Sequence, residues 1–459
     1  MSKYVKYISS DHFGSPELKG DRWGYCVELL RTCLVTGFNE RTDLVNFEVL
    51  TPETVKFTFT DNHNYKENQT IKISGTPFQE LNDDSFIIST TAKEVIIKSY
   101  NDLTGLVGQT NSVTAKAIVA PLGFIEKFKD GNRSVFTTDE DEAFFYIDDT
   151  QPDNWSATAT SYGIAPIVYM SDNIIDINTD KGKCIFPYNS ANPTWHKLRS
   201  YSEGTRLRNG IMNFSTYPAT SVANKTKKLE YQIVGNGRLF YLMINVDNTI
   251  YSQENINIYA WGKYNTTNKL KNNLPYILHA NSYALSNTDI GVYSSIKYGA
   301  YKTLTNINEL SADYMIVKNN NVAYRYTAGI LSCENETAPV FYTPLKGLFN
   351  NSIIDYAVSG NPRTEMQYPD IYTRKYYISK ININNLKGII GTLPGLMWVH
   401  NGSGNIRNNS VSKYKFNSKE KYLYNIVTSY TYSATGSTSS RIQTIYNISL
   451  DYNDWSNYD

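Results

Sequence analysis

The chain has 459 residues, enough for two or three domains, and a formal net charge of +1. This charge balance lacks the basic excess typical of nucleic-acid-binding proteins, and no apolar run approaches the ~20 residues of a membrane-spanning helix. The N-terminus lacks the features of a secretory signal, so we expect a soluble protein made in the cytoplasm, with no nucleic-acid partner and no membrane insertion.

Tyrosine is unusually frequent, at 38 residues, while charged residues make up only 19% of the chain. Tyrosine buries a large ring and keeps a hydroxyl group that needs a hydrogen-bond partner, which suits β-strands and wet interfaces. An AT-rich genome would produce the same enrichment through its codons. Composition alone leaves both explanations open.

Residues 1–44 are predicted to form an N-terminal anchoring segment with one strand and one helix. Residues 4–8 alternate apolar and polar side chains, as a short strand does. The helix spans residues 21–37, with Asp21 as its N-cap and Gly37 as the left-handed residue that ends it. Its apolar face contains Trp23, Cys26, Val27, Leu30, Cys33 and Leu34. So short a helix needs tertiary support, so we expect this face to pack against the following sheets or a neighbouring subunit.

Residues 45–119 are predicted to form a small all-β module. Short runs of β-branched and aromatic residues alternate with polar turns, a pattern typical of a small barrel or sandwich. The predicted strands are 47–49, 54–60, 70–75, 86–88, 94–98 and 113–119.

Residues 120–254 are predicted to form a β-sandwich domain. The apolar run 143–147 indicates a central strand that is covered on both faces. Gly235 and Gly237 flank Asn236 in a turn that predicts a hairpin between residues 229–234 and 239–246.

A second β-rich domain is predicted for residues 255–459, either separate from the preceding domain or continuous with it. Its predicted strands are 257–262, 314–318, 322–326, 376–378 and 422–427, and residues 428–441 are predicted to form a loop with a mobile tip. No fixed 20–50-residue repeat occurs, which argues against a solenoid, a propeller or a fibre shaft. The predicted fold class is therefore mainly β: a helix and a small barrel or sandwich, followed by larger antiparallel β-sandwich domains.

The sequence contains no recognisable catalytic, cofactor or metal motif, so we expect a protein without enzymatic activity and without a cofactor. None of the five His residues lies in a zinc-binding spacing, and neither a phosphate-binding loop nor a nucleophile elbow is present. Cys26 and Cys33 would lie about 10 Å apart along a helix, too far for a disulfide. These two residues, Cys184 and Cys333 are expected to be free thiols.

Three charged groups invite a functional interpretation. Asp148 and Asp149 follow a buried strand, where catalytic acids occur, but neighbouring strand residues point to opposite faces, which favours a turn or cap role. Residues 139–142, all acidic, are interpreted as a solvated loop, with a Ca²⁺ site as the alternative. Two clusters are interpreted as solvated strand faces, with an acidic virion partner as the alternative: Lys225, Lys227 and Lys228, and Lys413, Lys415, Lys419 and Lys421.

Residues 63–77, followed by Leu81, Asn82 and Asp83, resemble a β-module that is common in structural proteins of tailed bacteriophages. That module has glycines in its first turn and a Leu-Asn-Gly turn later. Here Asn residues and Asp83 replace the glycines. The departure is mild, because Asn and Asp tolerate a positive φ better than other non-glycine residues.

Further blocks resemble one family of phage tail or virion structural proteins and keep its order along nearly the whole chain. They are residues 5–10, 14–18, 29–38, 120–128, 144–150, 234–242, 386–398 and 450–455. Phe124 replaces the usual Trp in the fourth block. The resemblance implies a structural role in a virion and brings no enzymatic activity with it.

The sequence thus favours a structural component of a phage tail, baseplate or tail-proximal collar. It would assemble in the host cytoplasm as a ring or symmetric homo-oligomer with other virion proteins. The candidate assembly or structural residues are Trp23, Leu30, Leu34, Gly37, Gly235, Gly237, Trp398 and Trp455. In this hypothesis, the N-terminal helix anchors the subunit and the β-domains supply lateral contacts. The alternatives are a capsid-associated or receptor-binding virion protein and a tailspike-type carbohydrate hydrolase.

Overall fold

The computed structural model of the chain describes residues 5–19 and 22–150 and, after residue 150, mainly the β-strands and their immediate neighbours. These later residues are 166–171, 173–180, 210–211, 228–245, 256–266, 273–279, 281–282, 309–312, 315–318, 328–332, 341–344, 378–385, 388–399, 410–416, 419–433, 439–451 and 455. Asp21, Cys184, Cys333 and the predicted strand at 322–326 lie outside the described residues.

The predicted fold class is confirmed: the described part of the chain is mainly β, with a closed six-stranded barrel, several antiparallel sheets and one short α-helix. The division into domains at residues 44, 119 and 254 stays a prediction. One large apolar core extends from the N-terminal segment through the barrel into the central sheets.

The N-terminal segment contains strand β1 (Lys6–Ser9) and helix α1 (Tyr25–Arg31), which continues into a π-helical turn (Thr32–Thr36). The predicted helix over 21–37 is therefore corrected: the α-helix begins at Tyr25, after Gly24, which has a φ of 98° and provides no side-chain cap. Gly37 ends the helical segment with a φ of 78°, but its ψ of −178° is extended rather than left-handed helical.

The barrel is formed by six antiparallel strands in the order β2-β3-β6-β5-β4-β7, which closes through β2 and β7. Their bounds are β2 (Phe38–Thr51), β3 (Thr54–Phe59), β4 (Thr70–Ser74), β5 (Asp84–Thr90), β6 (Glu94–Lys98) and β7 (Thr110–Val119). Two short 3-10 turns, Gln79–Leu81 and Thr104–Leu106, lie between them. Strand β3 buries Val55, Phe57 and Phe59 and leaves the residues between them half-exposed, which is the alternation that fills a barrel interior.

Two six-stranded antiparallel sheets follow the barrel and contain most of the strands from β8 to β20. Strands β12 and β13 form a two-stranded sheet of their own, and β18 pairs with β26 of the last sheet. Their bounds are β8 (Ile125–Asp130), β9 (Arg133–Thr137), β10 (Phe144–Asp148), β11 (Ile167–Ser171), β12 (Ile174–Asp176), β13 (Thr179–Asp180), β14 (Gly210–Ile211), β15 (Glu230–Gly235), β16 (Leu239–Asn245), β17 (Ile256–Lys263), β18 (Asn265–Thr266), β19 (Asn273–His279) and β20 (Asn281–Ser282).

The first of these sheets has the order β20-β14-β11-β10-β9-β8, and β10 is buried along its whole length, as predicted. The predicted hairpin is also present as β15 and β16. It lies in the second sheet, ordered β1-β15-β16-β17-β19-β23, where β23 spans Ala328–Ser332. The N-terminal strand β1 therefore belongs to a sheet whose other strands come more than 200 residues later in the chain.

The last sheet is formed mainly by C-terminal strands in the order β24-β25-β26-β29-β28-β27. The remaining bounds are β21 (Glu309–Ala312), β22 (Met315–Lys318), β24 (Phe341–Pro344), β25 (Ile378–Asn385), β26 (Gly388–Val399), β27 (Ser410–Phe416), β28 (Lys419–Ser433) and β29 (Ser439–Ser449). The predicted loop at 428–441 is wrong for residues 428–433 and 439–441, because β28 and β29 remain paired from Leu423 with Ser449 to Ser433 with Ser439. Residues 434–438 lie outside the described part of the chain. Ser- and Thr-rich sequence, which we interpreted as a turn signal, serves here as strand.

A buried ion pair joins the N-terminal strand to the barrel. The Lys6 ammonium lies 2.6 Å from the Asp84 carboxylate, and their side chains are only 3% and 10% exposed. The same ammonium donates to the backbone carbonyl of Pro121, in the segment that leaves the barrel. Burial lowers the pKa of Lys6, while Asp84 acts to raise it. Lys6 therefore connects β1, β5 and the barrel exit, by which we mean residues 120–124, the segment that leaves the barrel after β7.

We predict that Lys6→Met lowers the free energy of unfolding by about 3 kcal/mol, because it leaves the Asp84 carboxylate buried without its ammonium partner. The double variant Lys6→Met/Asp84→Leu is expected to lose less of its free energy of unfolding, since neither charge of the pair then stays buried. Lys66→Met, which breaks the exposed Lys66–Asp11 pair, is the control and is expected to cost at most about 1 kcal/mol. Urea denaturation would measure all three, and a double variant less stable than Lys6→Met would contradict the assignment.

Candidate functional site

The candidate site is the junction around residues 22–37, which we call the N-terminal clasp. The helical segment within it, α1 together with its π-helical turn, is short, and its first N–H groups and last C=O groups lack a partner inside the helix. A helix end that is buried needs partners from elsewhere in the chain. Two later segments, around residues 149 and 122–124, provide them.

Asp149 caps the beginning of the helix from a position more than 120 residues later in the sequence. Its Oδ2 atom accepts hydrogen bonds from the backbone N–H groups of Cys26, at 2.9 Å, and Val27, at 3.3 Å. The backbone N–H of Asp149 donates to the carbonyl of Asn132 at 2.9 Å, which fixes the carboxylate to the turn after β8. Asp149 thus performs the capping role that the sequence assigned to Asp21.

The Asp149 carboxyl is completely buried, and its Oδ1 atom has no hydrogen-bond partner among the described residues. Burial raises its pKa to about 7, while the N–H groups of Val27, Cys26 and Gly24 act to lower it. Asp148 has a different role: its Oδ1 atom accepts from the N–H and the hydroxyl of Thr150, at 3.0 and 2.7 Å. The two acids therefore serve as a cap and a turn, as the sequence favoured.

The other end of the clasp is closed by the segment that leaves the barrel. The N–H of Leu122 donates to the carbonyl of Cys33 at 2.9 Å. The N–H groups of Gly123 and Phe124 both donate to the carbonyl of Leu34, at 2.9 and 3.0 Å. These bonds satisfy C=O groups that a helix end otherwise leaves open. The residues just before β8 are thus fixed to the end of the clasp.

Arg31 connects the clasp to the hairpin of β8 and β9. Its Nε atom donates to the Glu126 carboxylate at 2.6 Å and lies 2.9 Å from the Ser134 hydroxyl. Its two terminal nitrogens donate to the carbonyls of Gly131 and Arg133, each at 2.8 Å. A guanidinium group fits this task because its donors form a rigid, planar fork.

The apolar face of the clasp packs inside its own chain. Leu30 and Leu34 are completely buried, and Trp23 is half-buried against the same core. Cys26 and Cys33 are buried free thiols, as expected. Of the two surfaces that we considered for this face, the chain's own sheets are the one it contacts.

The hairpin of β15 and β16 packs on the barrel exit through its glycines. A Cβ atom at Gly235 would lie 2.5 Å from the Leu239 carbonyl oxygen and 2.7 Å from the Leu122 side chain. One at Gly237 would lie 3.2 Å from the carbonyl oxygen of Gly123. These glycines therefore permit a close approach between the hairpin and residues 122–123.

An aromatic cluster beneath the hairpin joins the two central sheets. Phe124 and Phe145 each contact both Phe240 and Trp261, with ring centroids 5.5–6.0 Å apart. Rings at these separations contribute beyond their buried area. The sequence analysis did not single out Trp261, although its position in an apolar strand was a signal that could have identified it.

Trp455 and Gly395 form a further junction near the C-terminus. The Trp455 indole N–H donates to the carbonyl of Ser449 at 2.7 Å, and a side chain at Gly395 would collide with the indole ring. Trp455 also packs on Tyr241, whose hydroxyl donates to the carbonyl of Pro394 at 2.8 Å. The backbone of Trp398 lies in β26, where it pairs with Ser379 and Tyr446.

The acidic residues 139–142 surround a lysine. The Lys263 ammonium pairs with the carboxylates of Glu140 and Glu142, and only 8% of its side chain is exposed. Asp141 pairs with Lys127. All four residues are exposed, which agrees with the interpretation as a solvated loop, and two of them also bind a buried ammonium. No group of His, Cys, Asp and Glu in the described residues is arranged to hold a metal ion.

We predict that Asp149 makes the protein less stable as the pH rises. Its pKa is about 7 in the folded chain and about 3.9 in an unfolded one, so the folded state binds more protons between these values. The free energy of unfolding should then fall from pH 4 to pH 7, by at most about 1.4 kcal/mol per pH unit. The variant Asp149→Asn retains an acceptor for the helix and should show a flatter profile in urea denaturation.

The difference between the pH profiles of wild type and Asp149→Asn isolates the contribution of Asp149, because the other titratable groups contribute equally to both profiles. His12 is one of them: burial lowers its pKa to about 4. Asp102→Asn is a matched control, since bonds from Thr104 lower the pKa of the exposed Asp102 and its effect on the profile has the opposite sign. Parallel profiles for wild type and Asp149→Asn would contradict the prediction.

We also predict that Gly235→Ala lowers the free energy of unfolding by at least about 2 kcal/mol, because the new methyl group meets fixed backbone of the opposite strand. Gly105→Ala is the control: no atom lies within 4 Å of its Cβ position, so we expect a change within about 0.5 kcal/mol. Urea denaturation monitored by tryptophan fluorescence would compare them. Equal stabilities would show that the hairpin does not require this close approach.

Comparison with known proteins gives little further information. No protein-family model and no curated protein matches the chain. Among solved structures, it is similar to the phage phi92 endosialidase, at 9% identity and a TM-score of 0.14, over 92% of this chain and 53% of that chain. The chain thus spans about half the length of that protein, and a similarity of this size establishes neither a shared fold nor a shared activity. None of the helices in the described residues is long and apolar enough to cross a membrane.

Proposed function

We propose that the chain is a non-enzymatic structural component of a tailed-bacteriophage virion, located in the tail, the baseplate or a tail-proximal collar. It assembles in the host cytoplasm with other virion proteins as a ring or symmetric homo-oligomer. The family resemblance supplies the virion assignment. Contacts between the resembling blocks at the junction support this assignment.

The observation that carries the proposal is that the blocks of the resemblance contact one another. Asp149, in the block 144–150, caps the helix that leads into the block 29–38. The block 120–128 closes the end of that helix. The block 234–242 packs its glycines on residues 122 and 123. Their meeting at one junction supports the proposal that the blocks form one structural pattern.

The two C-terminal blocks continue this network. Tyr241, in the block 234–242, donates to Pro394, in the block 386–398, and packs on Trp455 at the end of the chain. Gly395 leaves room for the same indole ring. The family pattern therefore coincides with residues that hold β-modules together, which is what a protein that acts by its shape requires.

Buried charged groups at the junction also serve the fold. Lys6 pairs with Asp84, and Asp149 binds backbone N–H groups. Arg31 binds Glu126 and two carbonyls of the neighbouring hairpin. Each of these groups is engaged in connecting segments of the chain, which supports a structural role for the junction.

We predict that mass spectrometry of virions purified on a density gradient detects this chain in a constant ratio to other tail proteins. Electron cryo-microscopy of the same particles would then locate it in the tail, and density on the capsid or at a distal receptor-binding tip would favour the alternative virion roles. Particles that lack the chain would contradict the proposal. The release of new reducing ends from host surface polysaccharide by the purified protein would contradict the non-enzymatic assignment.

A deletion of residues 1–38 provides a genetic test of the same proposal. It removes β1, the clasp and the ion pair of Lys6, so we expect aggregation or failure of the chain to enter particles. Because the clasp packs inside its own subunit, this deletion also unfolds the junction. Lys98→Ala, which changes only an exposed side chain of the barrel, is the control and should enter particles normally.

A further inference from the structure

An open cleft of about 620 Å³ lies between the outward face of the clasp and the turn after β8. Trp23, Arg22 and Glu28 line it on the clasp, and Lys129 and Asn132 line it on the β8 side. Its volume is within the range of small-molecule sites in proteins. The contacts that hold the fold together, described above, leave this cleft without an assigned role.

The cleft combines a fixed aromatic ring with exposed positive charges. Trp23 packs against the core cluster, which restricts its motion, and it also lines the cleft. The Arg22 guanidinium lies 4.1 Å from the centroid of the Tyr25 ring and 3.5 Å from the Glu28 carboxylate. Both side chains of this pair are more than 60% exposed, so the ion pair is weak and a ligand can compete with it. Lys129 is also exposed.

The charge balance favours a ligand with little negative charge. Three lining residues, Arg22, Arg31 and Lys129, are positive and Glu28 is negative, and Arg31 is already neutralised by Glu126 outside the cleft. The remaining balance, two positive charges and one negative, is +1. A single carboxylate matches this balance, whereas a chain of phosphates carries more negative charge than the cleft offsets.

The other lining groups suit the hydroxyl groups of a sugar. The Asn132 amide lies directly against Gly24, where a Cβ atom would come within 2.7–2.9 Å of it, so the amide is held at the wall of the cleft. The hydroxyl groups of Thr32 and Thr36 line the same space. Amide and hydroxyl groups can donate to and accept from sugar hydroxyls, and an aromatic ring can pack against the apolar face of a pyranose.

We propose that this cleft binds a carboxylate-bearing saccharide, with Trp23 under the sugar ring, Arg22 and Lys129 near the carboxylate and Asn132 on the hydroxyls. Arg31 holds the β8–β9 turn in place and takes no part in binding. This assignment goes beyond the structural role proposed above and does not depend on it. It gives the outer face of the clasp a ligand, while the inner face serves the core.

Isothermal titration calorimetry of the full chain tests the proposal with a sugar of one negative charge, trigalacturonate in which two of the three carboxylates are methyl-esterified, referred to below as trigalacturonate. A neutral galactotriose is the matched probe. We expect the charged sugar to bind and the neutral sugar to bind about tenfold more weakly, with an affinity for the charged sugar that falls as salt is added. The variant Arg22→Ala/Lys129→Ala should weaken binding of trigalacturonate by about tenfold or more. Both side chains are exposed, so circular dichroism should show an unchanged fold.

The control variant Lys98→Ala/Lys116→Ala removes two exposed lysines of the barrel and should bind trigalacturonate as the wild type does. Trp23→Phe retains an aromatic ring of smaller area and should weaken the binding of both sugars. This result would separate the contribution of ring stacking from that of charge. The proposal is wrong if the wild type does not bind, or if Arg22→Ala/Lys129→Ala binds equally well. A triglutamate peptide that binds as tightly as trigalacturonate would also overturn it, because the cleft would then recognise anions in general.

Discussion

The structure depends on how a short helical segment, α1 with its π-helical turn, satisfies its ends. Inside such a helix only a few backbone hydrogen bonds form, and each end leaves several N–H or C=O groups without a partner. The residues that carry these groups, Cys26, Val27, Cys33 and Leu34, are buried, so water cannot satisfy the groups at low cost. At one end, the Asp149 carboxylate accepts hydrogen bonds from backbone N–H groups of the helix. At the other end, the backbone N–H groups of residues 122–124 donate to its carbonyl groups. Each module can therefore complete its hydrogen bonds only when the others are in place.

This mutual requirement connects parts of the chain that are far apart in sequence. Strand β1 pairs with β15, and Lys6 reaches Asp84 in the barrel. The ring of Tyr7 packs on Tyr424 in the C-terminal sheet at 5.3 Å. Contacts between residues so distant in the sequence form slowly during folding, because the chain must lose the entropy of a long loop first. Once formed, they hold the barrel and the sheets in one arrangement.

The sequence predicted the local elements well and the long-range contacts poorly. Alternation of apolar residues identified the strands of the barrel, and Gly235–Asn236–Gly237 identified the hairpin. It could not predict that Asp149 caps the helix, because a capping carboxylate from another segment has no local signature. The loop assigned at 428–441 failed for a related reason: Ser and Thr occur in turns and in strands, and pairing with a long neighbouring strand decides between them.

The burial of the clasp also constrains how subunits of the proposed assembly meet. Its apolar residues, such as Leu30 and Leu34, lie in the core of their own chain and cannot contact a second subunit without unfolding the junction. Contacts between subunits must therefore use groups that are exposed in the folded chain, such as Leu50 and Val107 on the barrel, which are 38% and 46% exposed. Burial of such groups adds association energy without disturbing the fold. The clasp then contributes to assembly indirectly, because it fixes the relative position of the surfaces that meet.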